Sequence, residues 1–424
     1  MMRDRQLDRL FVCYVPAIDL RQVAAGAFPY VAHLLAGRPS VRFRAQPSTD
    51  QLATMLTGTY PHEHGLWGPR LRTDWAMRTP LQRLVDHLPD LLTTSLQGAV
   101  HLVNGPIDLA TMPPRRRRRF DWLRFNLKHA TDTARTRRPV NGFATPLTLI
   151  GEQQGRYVYQ DDFWGLDRLR ARVGNGDYVL EIVDVHCLDH LQHWLMGDRQ
   201  GMRELYAGVD DFVAALHAKC RQKGLGFVLL SDHGMEPVER VVDLVSPLRA
   251  LPVPPDEYDL FVENTKATFW FHSSAASATI AAHLEERDDG TLLDRAAMAR
   301  YELAFPDNRY GDAFFYARPG ATFFPNDFHQ PLAALIMSAT DRQQRQRFRT
   351  PWHQADHGYL SESDSEIGFM VLAEDGYAPA SDAISLIDIA PTLLDLLGRE
   401  PAATMRGRSA FRPDRSGSPA SAAS

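Results

Sequence analysis

Two kinds of hydrophobic pattern alternate along this chain. Short apolar runs rich in β-branched residues predict buried strands, whereas apolar residues that recur every three or four positions predict helices. The strand-like runs are LFVCYV at 10–15, VRFRA at 41–45, DYVLEIVDV at 177–185, GFVLLSDHG at 226–234, TFWFH at 268–272 and IGFMVLAE at 367–374. Helices are predicted at 28–37, 188–197, 203–222 and 385–397.

This alternation favours an α/β fold with a mostly parallel central sheet sandwiched by helices. The pattern weakens over 68–175, and a helical stretch at 276–304 followed by DAFFYARPGATFF at 312–324 indicates a smaller α+β unit. We expect one domain over residues 1–412. Its core would take residues 8–67, 176–272 and 355–410, and inserted cap subdomains would take 68–175 and 273–354. The low-complexity segment at 413–424 predicts a disordered tail.

Composition limits the function classes. The 424 residues are 44% hydrophobic and 23% charged, which is enough for a large core. A net charge of −5 argues against non-specific binding to nucleic acid or to an anionic membrane surface. We expect no specific nucleic-acid partner and no membrane partner. The charged N-terminus followed by the short run FVCYV predicts no secretory signal. Three cysteines, Cys13, Cys187 and Cys220, fit a reducing compartment, so we expect a cytoplasmic protein. The sequence does not predict the oligomeric state.

The segment PPRRRRRF at 113–120 is a run of positive charge. Such a run can bind a phosphate-rich ligand, but a solvated helix face or loop is the commoner explanation.

The stretch QPSTDQLATMLTGTYPHEHG at 46–65 places Ser48 and Thr49 just before apolar residues at helical spacing. A hydroxyl there can cap the helix by accepting a bond from a free backbone N–H. It can also act as a nucleophile on a phosphate or sulfate, because a helix N-terminus favours negative charge. A serine needs activation by a base or a metal for that second role.

Polar side chains follow the predicted strands, and ligands of parallel sheets bind at the carboxyl ends of strands. In the absence of a CxxC pair, carboxylates and imidazoles are the ligands that a zinc-type ion takes. Asp189 and His193 are four residues apart and would share one helix face. The polar side chains that could serve as such ligands are Asp184, His186, Asp189, His190 and His193 after one strand, Asp232 and His233 after another, and His353, Asp356 and His357 late in the chain.

Several of these segments resemble the alkaline phosphatase superfamily, in particular its type I phosphodiesterase/nucleotide pyrophosphatase branch. PSTDQLATMLTGTYPHEHG is similar to the nucleophile segment, in which Thr or Ser is followed by TGxxPxxHG. LLSDHGM resembles the Asp-His metal pair, DHLQHW the D-x-x-x-H pair, and DHGYL the late His-Gly. DIAPTLLDLLG and MRGRS are similar to the C-terminal signature. The resemblance is spread over nearly the whole chain in the family's order, and it implies an alkaline phosphatase-like fold.

The resemblance implies the following roles. Ser48 would be the nucleophile, and Gln51 stands where nucleotide pyrophosphatases have an Asn that contacts the phosphoryl oxygen. One divalent ion, zinc or alternatively manganese, would be held by Asp189, His193 and His357. A second ion beside Ser48 would be held by Asp232 and His233.

One departure from the family concerns the end of the first strand. The family has an Asp there, often Asp-Gly, that binds the second metal, whereas this chain has Pro16-Ala17. Asp19 is the nearest carboxylate. Either the loop after the first strand brings Asp19 back to the metal, which we favour, or the second ion has lost a ligand.

The function implied is metal-dependent hydrolysis of a small phosphorylated substrate through a phosphoryl-Ser48 intermediate, with two ions clamping the attacking and leaving oxygens. A phosphodiester, pyrophosphate or phosphonate is favoured over a monoester. Sulfate hydrolysis is disfavoured, because Ser48 lacks the C/S-x-P-x-R context. The alternative is a non-hydrolytic relative that binds a phosphorylated ligand or transfers the phosphoryl group. Trp67, Trp164, Phe261 and Trp270 are candidates for stacking on a base, although aromatic residues more often belong to the core.

Overall fold

The computed structural model describes residues 6–48, 51–68, 71–72, 139–151, 153–327 and 350–414, with isolated positions at 80, 84, 87–89, 92 and 120–121. Thr49, the arginines at 115–119 and the predicted tail from 415 onward lie outside the described residues. So does most of the first predicted insertion.

A six-stranded sheet forms the centre of the fold. Five of its strands run in the same direction, and only Ile367–Leu372 is antiparallel to its neighbours. The mostly parallel central sheet predicted from the sequence is thus confirmed. From one edge to the other, the strands are Ser40–Arg44, Ile367–Leu372, Gly226–Ser231, Leu10–Tyr14, Leu180–Val185 and Gly155–Gln160.

Helices cover both faces of this sheet. Every residue of the strand Leu10–Tyr14 is buried, because alternate side chains enter two different hydrophobic clusters. That burial on both sides explains why the parallel strands read as continuous apolar runs. The helices on one face are Pro29–Gly37, Leu166–Arg172, Cys187–Leu195 and Arg199–Gln222, and those on the other are Leu52–Thr57, Pro146–Ile150 and Ile389–Leu396.

A second, four-stranded sheet is antiparallel throughout. Its order is Tyr258–Val262, Lys266–Phe271, Ala313–Ala317 and Gly290–Asp294, and the helix Ser274–Glu285 packs on it. The predicted helical stretch at 276–304 is therefore interrupted by a strand. The sequence Asp288-Asp289-Gly290 ends the helical pattern, since Gly and Asp favour turns over helix.

Two strands pair in a different sheet from the one that the predicted boundaries of core and insertions gave them. Gly155–Gln160, within 68–175, pairs with the central sheet. Lys266–Phe271, placed in the core by its apolar run, pairs in the second sheet. An apolar run reports burial but not the partner strand, so hydrophobicity alone could not place these two strands.

Short elements complete the described fold. The pair Ala355–Asp356 and Glu236–Pro237 is antiparallel, and it brings the late His357 to the loop that follows His233. Among the described helices, none combines the length and apolar character needed to cross a membrane. The other strand pairs are Arg240–Val242 with Ala321–Phe323, Tyr377–Pro379 with Phe411–Pro413 and Leu71–Arg72 with Phe120–Asp121, and the other short α-helices are Leu20–Ala24, Pro61–His64, Val245–Ala250 and Arg295–Met298.

Candidate functional site

Three adjacent parallel strands end at the same edge of the central sheet. They are the strands that end at Tyr14, Val185 and Ser231. The polar residues that follow them therefore meet in space, as the strand-end argument predicts.

Asp189, His233 and His357 form what we call the central cluster. Their potential ligand atoms all lie within 4.8 Å of one another, and all three residues are buried. Nε2 of His357 is 3.3 Å from Oδ1 of Asp189. The rings of His233 and His357 are stacked, with centroids 3.7 Å apart. Segments more than 40 residues apart in the sequence thus place two imidazoles and a carboxylate at one point.

His193 borders the central cluster from the helix Cys187–Leu195. Its Nε2 is 3.7 Å from Oδ1 of Asp189, as expected for residues four apart on one helix face. Its Nδ1 lies 2.8 Å from the carbonyl oxygen of Ala355 and donates to it. With the proton at Nδ1, the Nε2 lone pair faces Asp189, which is the arrangement typical of metal-binding histidines.

His233 is oriented in the same way. Its Nδ1 is 2.8 Å from the carbonyl oxygen of Gly234, and its Nε2 is 3.5 Å from Oδ2 of Asp232. That carboxylate oxygen accepts a 2.7 Å hydrogen bond from the hydroxyl of Tyr14. Both predicted Asp-His pairs therefore present an imidazole Nε2 to a neighbouring carboxylate.

Several buried atoms at this site are unpaired within the part of the chain that is described. Oδ1 of Asp189, Oδ1 of Asp232 and Nδ1 of His357 have no hydrogen-bond partner there. An unpaired buried polar atom is costly, and a divalent ion is a partner that satisfies carboxylate oxygens and imidazole nitrogens together. The donor set thus fits the metal that the sequence resemblance implies.

The protonation of the central cluster follows from its burial and charges. Burial alone would raise the pKa of Asp189, but His357, His193 and His233 hold it below its usual range. Burial, and next His233, lowers the pKa of His357 well below its ordinary value. The lowered pKa of Asp189 favours its anionic form and the lowered pKa of His357 favours its neutral form, which are the forms that bind metal.

Ser48 lies in a buried loop between the strand Ser40–Arg44 and the helix Leu52–Thr57. The helix begins after its N-cap Gln51, three residues beyond Ser48. The side-chain amide of Gln51 donates to the carbonyl oxygens of Gln46 at 2.9 Å and Ser48 at 3.1 Å. The side-chain oxygen Oε1 of Gln51 accepts from the backbone N–H of Gln46. Gln51 therefore holds the Ser48 loop by its backbone, a set of contacts that differs from the predicted phosphoryl contact.

Glu366 joins the Ser48 loop to the central cluster. Its backbone carbonyl accepts from the N–H of Ala45, and its buried carboxylate accepts from the N–H of Gly358, next to His357. Burial raises the pKa of this carboxyl to about 7, with His233 acting in the opposite direction. Sequence reasoning missed Glu366, because a single Glu after a Ser-rich turn has no distinguishing pattern.

Asp19 lies close to the loop that follows His233, but its carboxylate already accepts hydrogen bonds from other residues. Its carboxylate accepts from the guanidinium of Arg21 at 2.6 Å and from the backbone N–H groups of Arg21 and Met235. It also caps the helix Leu20–Ala24. Ala17 has φ 65, a left-handed conformation that glycine adopts more readily. The left-handed residue Ala17 thus stands where the family often has Gly, and Pro16 stands where the family has the Asp.

The remaining candidates have separate places. His353 and Asp356 lie beside His193, with Nδ1 of His353 2.5 Å from Oδ1 of Asp356. His186 and His190 form another group with Asp189. Of the aromatic candidates, Trp67, Phe261 and Trp270 are buried, and Trp164 is 82% exposed.

Comparison with known proteins identifies the family. The profile of the type I phosphodiesterase / nucleotide pyrophosphatase family matches residues 48–377, so the match begins at Ser48. The chain belongs to this family. As a member of the type I phosphodiesterase / nucleotide pyrophosphatase family, it carries the fold and the branch that the sequence resemblance indicated. Comparison with curated protein sequences gives no significant match.

Solved structures show the same fold at low identity. Murine ectonucleotide pyrophosphatase / phosphodiesterase 5, as an inactive Thr-to-Ala variant in complex with AMP, has a TM-score of 0.61 at 13% identity. That alignment covers 93% of this chain and 96% of the murine chain. The human protein of the same name has a TM-score of 0.60 at 13% identity, covering 95% of this chain and 97% of its own.

Proposed function

We propose that this chain is a metal-dependent hydrolase of phosphodiesters, pyrophosphates or phosphonates, in which Ser48 is the nucleophile and a phosphoryl-Ser48 intermediate forms. The observation that carries the proposal is the convergence of Asp189, His233 and His357, whose ligand atoms lie within 4.8 Å of one another. The buried Oδ1 of Asp189 receives no hydrogen bond from any described residue. Membership of a phosphodiesterase and nucleotide pyrophosphatase family supports the reaction class. The AMP complex of the murine relative supports a small phosphorylated substrate.

Two sets of residues would hold the metal. Asp189, His193 and His357 would hold one divalent ion, and Asp232 with His233 the other, near Ser48. Zinc suits these imidazole and carboxylate ligands, and manganese is the alternative. When bound, such ions supply positive charge that stabilises the attacking and leaving oxygens of an in-line displacement.

The chain's own residues position the reacting groups. The amide of Gln51 holds the turn that carries Ser48, so the hydroxyl is presented from a fixed backbone. The carbonyls of Ala355 and Gly234 hold the rings of His193 and His233. Burial of the loop excludes bulk water, which strengthens electrostatic interactions with a bound phosphoryl group.

A second candidate is a phosphoryl-transfer or phosphoryl-binding relative. The specific observation in its favour is Asp19, whose carboxylate is engaged by Arg21 and Met235. Asp232 and His233 would then hold their ion without a second carboxylate. In this candidate, Asp232 and His233 would bind an ion less tightly than a complete ligand set would. The phosphorylated ligand would then stay bound, or its phosphoryl group would pass to an acceptor other than water.

The test compares three chromogenic esters of the same phenol: bis(4-nitrophenyl) phosphate, 4-nitrophenyl phosphate and 4-nitrophenyl sulfate. Each is assayed with zinc or manganese and with a chelator. We expect chelator-sensitive turnover of the diester that is lost in Ser48→Ala. The control Ser274→Ala should retain that turnover, since Ser274 is exposed on the helix that packs against the second sheet. Ser48→Ala should keep its metal content and its melting temperature.

Two results would overturn the proposal. Turnover retained in Ser48→Ala would remove Ser48 from its role as the nucleophile. Turnover only when an added alcohol such as glycerol is present, with the phosphoryl group recovered on that alcohol, would favour the transferase instead.

A further inference from the structure

The helix Cys187–Leu195 and its N-cap His186 carry two interleaved pairs of potential metal ligands. Asp189 and His193 are four residues apart, and so are His186 and His190. The family resemblance assigns roles to the first pair only. His186, Asp189 and His190 nevertheless form a second group whose ligand atoms all lie within 4.8 Å of one another, and this group shares only Asp189 with the central cluster.

His186 is held in the orientation typical of a metal ligand. Its Nδ1 lies 2.8 Å from Oδ1 of Asp184, a fully buried carboxylate that also accepts a 2.6 Å hydrogen bond from the hydroxyl of Tyr157. A carboxylate that binds one ring nitrogen of a histidine fixes the ring and leaves the other nitrogen to coordinate. Neither Asp184 nor Tyr157 has a part in the proposed hydrolysis.

The other members complete the group. His190 sits one helical turn after His186, and the ring centroids are 5.2 Å apart. Oδ1 of Asp189 is buried without a hydrogen-bond partner among the described side chains, and its carboxylate borders both groups. The side chain of His186 is 28% exposed and His190 is also half-buried, so an ion can reach the site from solvent.

We propose that His186, His190 and Asp189 bind a further divalent ion of the zinc type, adjacent to the central cluster, with Asp189 shared between the two groups. Two imidazoles and one carboxylate are a ligand set found in zinc sites that keep an open position. A carboxylate has two oxygens and can serve neighbouring ions.

The test counts zinc bound to the full chain. Protein is equilibrated with zinc chloride at pH 8, because protons compete with metal for imidazole nitrogen, and the bound zinc is measured by mass spectrometry after dialysis. We expect His190→Asn and His186→Asn each to bind one equivalent less than the unmodified chain. The control His33→Asn should keep the full count, since His33 is exposed on the helix Pro29–Gly37. Circular dichroism melting checks that each variant is folded.

Two further variants sharpen the test. Asp184→Asn should weaken the affinity of one zinc ion by roughly 10–100-fold in a competition titration with a chelator. His357→Ala removes a ligand of the central cluster, so combining it with His190→Asn should remove two equivalents in total. Unchanged zinc counts and affinities in both His186→Asn and His190→Asn would overturn the proposal. So would a double variant that loses no more zinc than His357→Ala alone.

This inference does not depend on ester hydrolysis. If His190→Asn lowers the zinc count while the unmodified chain turns over no ester, the metal site stands and the proposed hydrolase function fails. If ester turnover requires Ser48 but the zinc count is unchanged in both histidine variants, the proposed hydrolase function stands and the further metal site fails.

Discussion

The hydroxyl group of Tyr14 donates a 2.7 Å hydrogen bond to Oδ2 of Asp232, while Oδ1 of Asp232 has no partner among the described residues. The bond joins the ends of two neighbouring parallel strands at the edge of the sheet where the site lies. One oxygen of a proposed metal ligand is therefore held by the protein and the other is left for an ion.

Tyr14→Phe should destabilise the metal-free chain more than the zinc-bound chain. Removing the donor leaves a buried acceptor unpaired, which lowers the free energy of unfolding by about 1–3 kcal/mol. In the zinc-bound chain the ion would satisfy the carboxylate of Asp232 in place of the Tyr14 hydroxyl, so less of that stability is lost there. Denaturant unfolding with and without zinc measures the difference.

Tyr310→Phe is the control, because the hydroxyl of Tyr310 donates to the carbonyl oxygen of Gly65 instead. Its loss of stability should not change with zinc. If the loss of stability depended equally on zinc in the two variants, the hydroxyl of Tyr14 would have no specific link to metal binding.

Gln51→Ala should lower kcat roughly 10–100-fold with little change in KM, because the amide positions the Ser48 loop rather than the substrate. Steady-state kinetics on the diester measure both constants. Gln200→Ala, at an exposed position, should leave them unchanged. A raised KM with an unchanged kcat would instead support the phosphoryl contact that the resemblance implies.

Asp19→Ala should keep the zinc count and lose about 0.5–2 kcal/mol of stability, because the carboxylate caps a helix. Metal analysis and urea unfolding test the two halves of this prediction. Asp198→Ala is matched to it, since Asp198 caps the helix Arg199–Gln222 through Gly201. Loss of one zinc from Asp19→Ala alone would make Asp19 a ligand.

His357→Ala should lower the zinc count by one, because its ring lies 3.3 Å from Asp189 in the central cluster. Metal analysis after dialysis measures this, with His33→Ala as the control. A full count in His357→Ala would show that the late histidine is not a ligand.

His217 should make the chain less stable in acid. Burial lowers the pKa of His217 to about 4, and its Nδ1 pairs with the hydroxyl of Tyr30. Arg221, Arg38 and His33 act in the same direction. The unfolded chain takes up the proton near the ordinary pKa of 6.5 whereas the folded chain resists until about 4, so stability falls as the pH drops through that range.

In the variant His217→Asn, the difference in unfolding free energy between pH 7 and pH 5 should be smaller than in the unmodified chain. Urea unfolding at the two pH values measures it. An identical pH dependence in the two proteins would mean that other groups cause the acid sensitivity.

The sequence alone determined the fold class and the segments that carry the candidate chemistry. Runs such as LFVCYV at 10–15 could be assigned because burial on both faces of a parallel sheet leaves a continuous apolar signature. Asp189 and His193 could be paired because helix geometry places residues four apart on one face. Such signals are local, so they are readable in a single chain.

Only the tertiary structure decided which residues meet. No local pattern shows that Tyr14 binds Asp232, that Glu366 spans from Ala45 to Gly358, or that Arg21 engages Asp19. Nor does it show that Gly155–Gln160 joins the central sheet. These contacts join segments distant in the sequence, or depend on the exact course of a loop. They are set by the packing of the whole chain, which the spacing of residues along the sequence does not record.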